Sequence, residues 1–124
     1  MKIKINPMSN IPIYRQIIEH FSHLILSGKL NANEKLPSSR ALGVEIKVNM
    51  LTVQKAYQEL RALGLIYNKR GEGSFVAEVD STTNLNLQIE KVEKQFSKTI
   101  ETALLYGLDK VKIAEIFQKE LDKP

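Results

Sequence analysis

Residues 36–57, LPSSRALGVEIKVNMLTVQKAY, constrain this chain more than any other stretch. They read as two short helices joined by a tight turn. Pro37 forces the residue before it out of helical geometry. Ser38 or Ser39 can then cap a helix whose inward residues are Leu42 and Ile46. Lys47-Val48 makes the turn, and Asn49 offers a side-chain oxygen to the free N–H groups of the next helix. In that helix Val53, Ala56, Tyr57, Leu60 and Leu63 fall on one stripe, with Gln54, Lys55, Gln58 and Arg61 off it, and Gly64 ends it.

The flanking segments complete a small domain. From residue 11 to 27, Ile13, Ile17, Phe21, Leu24 and Ile25 recur at helical spacing, Pro12 sits where a first turn tolerates it, and Gly28 is the stop. Lys35-Leu36 is a short stretch able to add to a sheet elsewhere. Beyond Gly64, residues 65–68 and 74–77 are two β-prone runs, and the glycines of Lys69-Arg70-Gly71-Glu72-Gly73 make them a hairpin with two adjacent cations at its tip. A helix-turn-helix followed by a hairpin wing is a winged helix, expected to occupy residues 1–78.

Residues 79–84 are expected to be a polar linker rich in cap-forming side chains. After them Leu85, Ile89, Val92, Phe96, Ile100 and Ala103 recur at spacings of four and three, giving a long amphipathic helix with a narrow seam that stops at Gly107. Asp109 caps a last helix, in which Ile113, Phe117 and Leu121 mark the stripe expected to be buried. About 40 residues are too few to build a core of their own. The seams of residues 85–124 therefore call for a partner, either the same element of a second copy or the winged domain of the same chain. The fold class expected is mainly α with a small β-hairpin wing: an N-terminal winged helix-turn-helix and a C-terminal two-helix dimerisation hairpin.

Composition narrows the function. The 124 residues contain no cysteine, so disulfides and thiolate metal sites are excluded and a reducing, cytoplasmic setting is expected. The start, MKIKINPMSNIPIYRQ, is polar and broken by prolines, and no apolar run approaches the roughly 20 residues of a membrane span. Of the net charge of +4, residues 1–78 carry eleven Lys and Arg against six Asp and Glu, while residues 79–124 carry seven against eight. The basic charge belongs to the part that holds the helix-turn-helix, as a nucleic-acid binder requires. An enzyme would need a nucleophile with its base, a carboxylate pair or a metal cluster. His20 and His23 lie three apart with no third ligand in pattern, and the Gly71-Glu72-Gly73 loop lacks the strand–loop–helix setting of a phosphate cradle. Neither an enzyme, a cofactor nor a metal is expected.

The blocks PIYRQI, GKL, LPSSRAL, VNMLTVQKAY, LRALGLI and GEGSFV, in that order over residues 12–76, resemble the GntR family of bacterial transcription regulators. With only residues 80–124 following them, the chain is similar to the YtrA-type subfamily, whose short two-helix C-terminal module serves dimerisation. The resemblance implies a homodimer that binds double-stranded DNA at a near-palindromic operator and represses its own operon and that of an adjacent transporter. It leaves room for a small-molecule effector. It places DNA contacts at Ser38 and Arg40 at the start of the second helix, at Asn49, Met50, Leu51, Thr52 and Gln54 on the third, and at Lys69, Arg70 and Gly71 in the wing. Lys55, also on the third helix, is suited to a phosphate. Dimerisation falls to Leu85, Ile89, Val92, Phe96, Ile100, Ile113, Phe117 and Leu121. Tyr57 and Phe75 are expected in the core, and the bland alternative for Lys55 is a solvated lysine. Many members of the family carry arginine where this chain has Met50 and Gln54. Met50 gives up a bidentate donor to guanine for an apolar chain suited to a thymine methyl, and Gln54 suits adenine. The alternative from another class is a winged-helix protein-interaction module without specific DNA binding.

Overall fold

The computed structural model describes residues 3–124. The described residues form α1 (Ile13–Leu26), α2 (Ser39–Ile46), α3 (Met50–Ala62), β1 (Ile66–Lys69), β2 (Gly73–Val76), α4 (Ser81–Leu105) and α5 (Lys110–Leu121). They divide into two compact units, one ending at Ser81 and one beginning at Thr82. The fold is mainly helical with a small antiparallel wing.

The first unit closes around the apolar stripes of its three helices. Ile17, Ile18, Phe21, Ile25 and Leu26 of α1 are buried against Val53, Ala56, Tyr57 and Leu60 of α3, with Leu42 supplied by α2. Each large apolar side chain removed from water contributes about 1.5–3 kcal/mol, so these few residues dominate the unit's stability. The Phe21 and Tyr57 rings meet edge to face at 5.8 Å, and the Tyr57 hydroxyl donates to the carbonyl of Pro37 at 2.8 Å. The break that frees α2 from the upstream chain is thereby tied to α3. Burial, and secondarily Glu45, raises the Tyr57 phenol well above its ordinary pKa, so it stays protonated and remains a donor.

The capping side chains fall where the sequence places them. The Oγ of Ser38 accepts from Ala41 N–H at 3.0 Å, the Oδ1 of Asn49 from Leu51 N–H at 2.8 Å, and Asp109 from Lys112 N–H at 2.8 Å. α1 is shorter than expected, because Pro12 stands outside it as the capping residue. Its carbonyl accepts from Arg15 and Gln16 N–H.

Leu63 departs from its expected place on the α3 stripe and is 51% exposed. The helix ends at Ala62 and Gly64 at φ +77° reverses the chain. The N–H of Leu65 then returns to the carbonyl of Leu60 at 3.0 Å, and Leu65 takes the buried position instead.

The wing strands pair Ile66 with Val76, Tyr67 with Phe75, Asn68 with Ser74 and Lys69 with Gly73. Residues 33–36 add a third edge. Asn33 N–H donates to the carbonyl of Val76 at 2.7 Å, Val76 N–H to Glu34 at 2.9 Å and Leu36 N–H to Ser74 at 2.9 Å, with an isolated bridge between Lys35 and Phe75.

Residues 81–84, expected in the polar linker, are the helical start of α4. Ser, Thr and Asn suit a helix start as well as a connection, and Gln88 Nε2 donates to Asn84 Oδ1 at 3.0 Å across one turn. α4 turns at Gly107, α5 follows, and Phe96 meets Phe117 edge to face at 5.9 Å. The stripe of Ile113, Phe117 and Leu121 is not buried within the chain: Ile113 is half-exposed and the other two are exposed, as are Leu85, Ile89, Val92, Phe96 and Ile100 on α4.

Candidate nucleic-acid interface

α2 and α3 cross at a short turn, and the closeness of that crossing depends on Gly43. A Cβ there would stand 2.7 Å from the carbonyl oxygen of Val48 and 3.5 Å from the backbone of Met50. A glycine in the middle of a helix signals a packing need of this kind, although the pattern alone does not say what approaches it.

With Val53, Ala56, Tyr57 and Leu60 turned inward, α3 presents Leu51, Gln54, Lys55 and Gln58 on its opposite face, at spacings of three and four. Leu51 is 66% exposed on this face. Met50 opens the helix and is 36% exposed, lining a shallow depression against α2 with Arg40, Val44 and Lys47. Thr52 is half-buried beside it. Arg40 stands exposed in the first turn of α2, and Ser38 and Asn49 are exposed, each with its side-chain oxygen engaged in its own cap. The wing tip carries Arg70, Gly71 and Glu72, with Gly71 at φ +79°. Arg40 and Met50 thus border one depression between α2 and α3, Leu51, Gln54 and Lys55 lie on the outer face of α3, and Lys69, Arg70 and Gly71 sit on the hairpin.

Two of the candidate lysines are less free than the sequence suggests. The Nζ of Lys55 lies 3.9 Å from the centroid of the Tyr14 ring at the start of α1, a cation–π contact. The Nζ of Lys69 lies 5.5 Å over the ring of Phe75, itself half-exposed and stacked on Tyr67 at 5.7 Å rather than buried in the core. Tyr14 is therefore part of this surface, and sequence reasoning missed it. Its only signal was an aromatic residue at the helix start, and the α1–α3 crossing that brings Lys55 to it is not written in either segment.

Charge separates the two units as well. Lys112 pairs with Glu115 and Lys123 with Glu120 on α5 and its end. Arg40, Lys47, Lys55, Lys69 and Arg70 have no carboxylate partner among the described residues, so their charge is available to an external anion.

The sequence profile of the bacterial regulatory proteins, gntR family, matches residues 13–76, slightly more than half of the chain. The chain belongs to this family. It is a GntR-family DNA-binding transcriptional regulator, not an enzyme. It is similar to the HTH-type transcriptional repressor YtrA of Bacillus subtilis (strain 168), 37% identical over 113 residues, which is 91% of this chain and 87% of that protein. Among solved structures it is similar to a GntR family transcriptional regulator from Listeria monocytogenes, with a TM-score of 0.75, 30% identity and coverage of 93% and 98% of the two chains. The first unit also has a counterpart in AraR(DBD) in complex with operator ORX1, with a TM-score of 0.53, 34% identity and coverage of 60% of this chain and 92% of that one. The resemblance to a YtrA-type GntR regulator is therefore correct, and no helix among the described residues is long and apolar enough to cross a membrane.

Proposed function

We propose that this protein is a homodimeric repressor that grips a near-palindromic operator, with residues 1–78 reading DNA and residues 85–124 joining two copies. The observation that carries it is the α2–α3 surface. A capped α3 presents a continuous polar and apolar face, flanked by cations that no carboxylate among the described residues neutralises. AraR(DBD), similar to the first unit, is a protein seen bound to operator DNA, and YtrA, similar over most of the chain, is a repressor.

In this function Arg40 holds the backbone or a guanine from α2, Met50 and Leu51 lie against base-pair edges where thymine methyls protrude, and Gln54 pairs with adenine. Thr52 and Lys55 reach phosphates or sugars, with Ser38 and Asn49 supporting the two helix starts. Arg70 enters the minor groove from the wing, where Gly71 lets the backbone approach closely. The exposed seams of α4 and α5 supply the dimer, whose two-fold axis sets half-site spacing. A ligand or signal that changed how the two copies dock would change that spacing and hence affinity. Repression of its own operon together with an adjacent transporter follows the habit of the subfamily it resembles.

The test is an electrophoretic titration of the full chain with DNA from its own promoter region against a scrambled duplex. Preference for the promoter DNA by at least about 1,000-fold fits a specific operator. Equal binding to both sequences would instead favour the protein-interaction module. A footprint with indispensable guanines opposite Met50 would overturn the thymine assignment.

A further inference from the structure

Three helices of this chain leave their last turn through a glycine in the left-handed region: Gly28 after α1 at φ +79°, Gly64 after α3 at +77° and Gly107 after α4 at +86°. α2 leaves through Lys47, at φ +58° and ψ +47°. The hydrogen bonding of this end is the ordinary one for such a reversal. Val48 N–H donates to the carbonyl of Gly43 at 2.8 Å and Lys47 N–H to that of Val44 at 3.4 Å. A Cβ in this conformation crowds the following carbonyl, so lysine occupies the position against the backbone's preference. Among the described residues its exposed side chain makes no hydrogen bond or ion pair that would offset the strain.

The side chain does have a place. Arg40, Val44 and Lys47 follow at spacings of four and three along the outer face of α2, and all three line the same shallow depression as Met50 of α3. Cations therefore stand at both ends of an apolar strip beside the start of the recognition helix. A lysine is a point charge on a flexible stem, suited to a phosphate oxygen rather than to bidentate reading of a base.

We infer that Lys47 is a DNA-backbone contact, paired with Arg40 across the depression so that the two hold the phosphates flanking the base pairs faced by Met50. Glycine at this turn would serve the fold better and the operator worse. Lys47 contributes affinity without sequence preference.

Because this rests on the DNA-binding function proposed above, the experiment begins with the wild-type chain and a duplex from its own promoter region, followed by anisotropy between about 50 and 200 mM salt. Lys47→Gly and Lys47→Gln should each flatten the dependence of log affinity on log salt by about 0.9 for every bound copy, while Lys47→Arg keeps the wild-type slope. The ratio of promoter to scrambled affinity should stay unchanged in all three. Lys47→Gly should also melt no lower than wild type, since it relieves the left-handed backbone. Wild-type slopes in both neutral variants would overturn the contact and leave Lys47 free for a protein partner. Failure of the wild type to bind DNA would instead remove the parent function, and a lower melting point in Lys47→Gly would remove the strain that singles out the residue.

Discussion

In the first unit Ile17, Phe21, Val53 and Leu60 are fully shut off from solvent, whereas in the second Phe96 is still 49% exposed and Ile100 44%. Both regions are built from amphipathic helices with apolar residues at intervals of three and four. What separates them is the number of faces available to close on. α1, α2 and α3 enclose a common interior, while α4 and α5 meet at the Phe96–Phe117 ring pair with the rest of their apolar stripes exposed or half-exposed. Amphipathic spacing thus predicts that a face will be covered, but not by what. The first unit completes itself, and the second leaves its apolar faces open.

The comparison is most exposed to refutation at the seam. Phe96→Glu should convert the proposed dimer to monomers in light scattering and lower operator affinity by about 100-fold or more, because the second half-site is no longer engaged intramolecularly. The melting of the first unit should be unaffected. A variant that remained dimeric would show that the seam is covered in some other way.

Within the first unit, Arg40→Ala should cost about 1–3 kcal/mol of operator binding per half-site, as a base-edge or charged contact would, with no change in thermal midpoint. A loss of folding instead of affinity would make Arg40 part of the scaffold. Gly43→Ala should act the opposite way, forcing α2 from α3 and destabilising the unit by about 1–3 kcal/mol in denaturant titrations. An unaltered midpoint would mean that the crossing has slack. Tyr14→Ala should weaken DNA binding by about 0.5–1 kcal/mol through the freed Lys55, with Tyr14→Phe retaining the wild-type value because only the ring is needed. A double variant with Lys55→Ala that lost the sum of both effects would deny the coupling.

The smallest effect is a pH dependence confined to the self-contained unit. Burial, and then His23, lowers the pKa of His20 from 6.5, and its Nε2 is buried without a partner among the described residues. The folded state therefore disfavours the charged imidazole. The stability this brings is complete above pH 6.5 and is lost as pH falls from there through the folded value. His20→Gln should flatten the thermal midpoint against pH below 6.5. An equally steep profile in that variant would assign the acid sensitivity elsewhere.

Local chemistry made much of this legible. Ser38, Asn49 and Asp109 cap because each is a short polar residue before an apolar periodicity, and the wing was marked by two glycines between β-prone runs. Features set by tertiary approach were not legible. Lys55 on Tyr14, the outward Leu63 and the contact distance at Gly43 depend on how helices cross, which no window of sequence encodes. The helical start at residues 81–84 was hidden for a different reason, since the residues that suit a connection there also suit a first turn.

The strand edge formed by residues 33–36 has a bearing on synthesis. Asn33 N–H, the Glu34 carbonyl and Leu36 N–H find their backbone partners at Ser74 and Val76, some forty residues later in the chain. A nascent chain that has completed α3 still lacks the strand that holds the approach to α2. A chain cut short before Ser74 would therefore carry its helix-turn-helix with that edge unfastened.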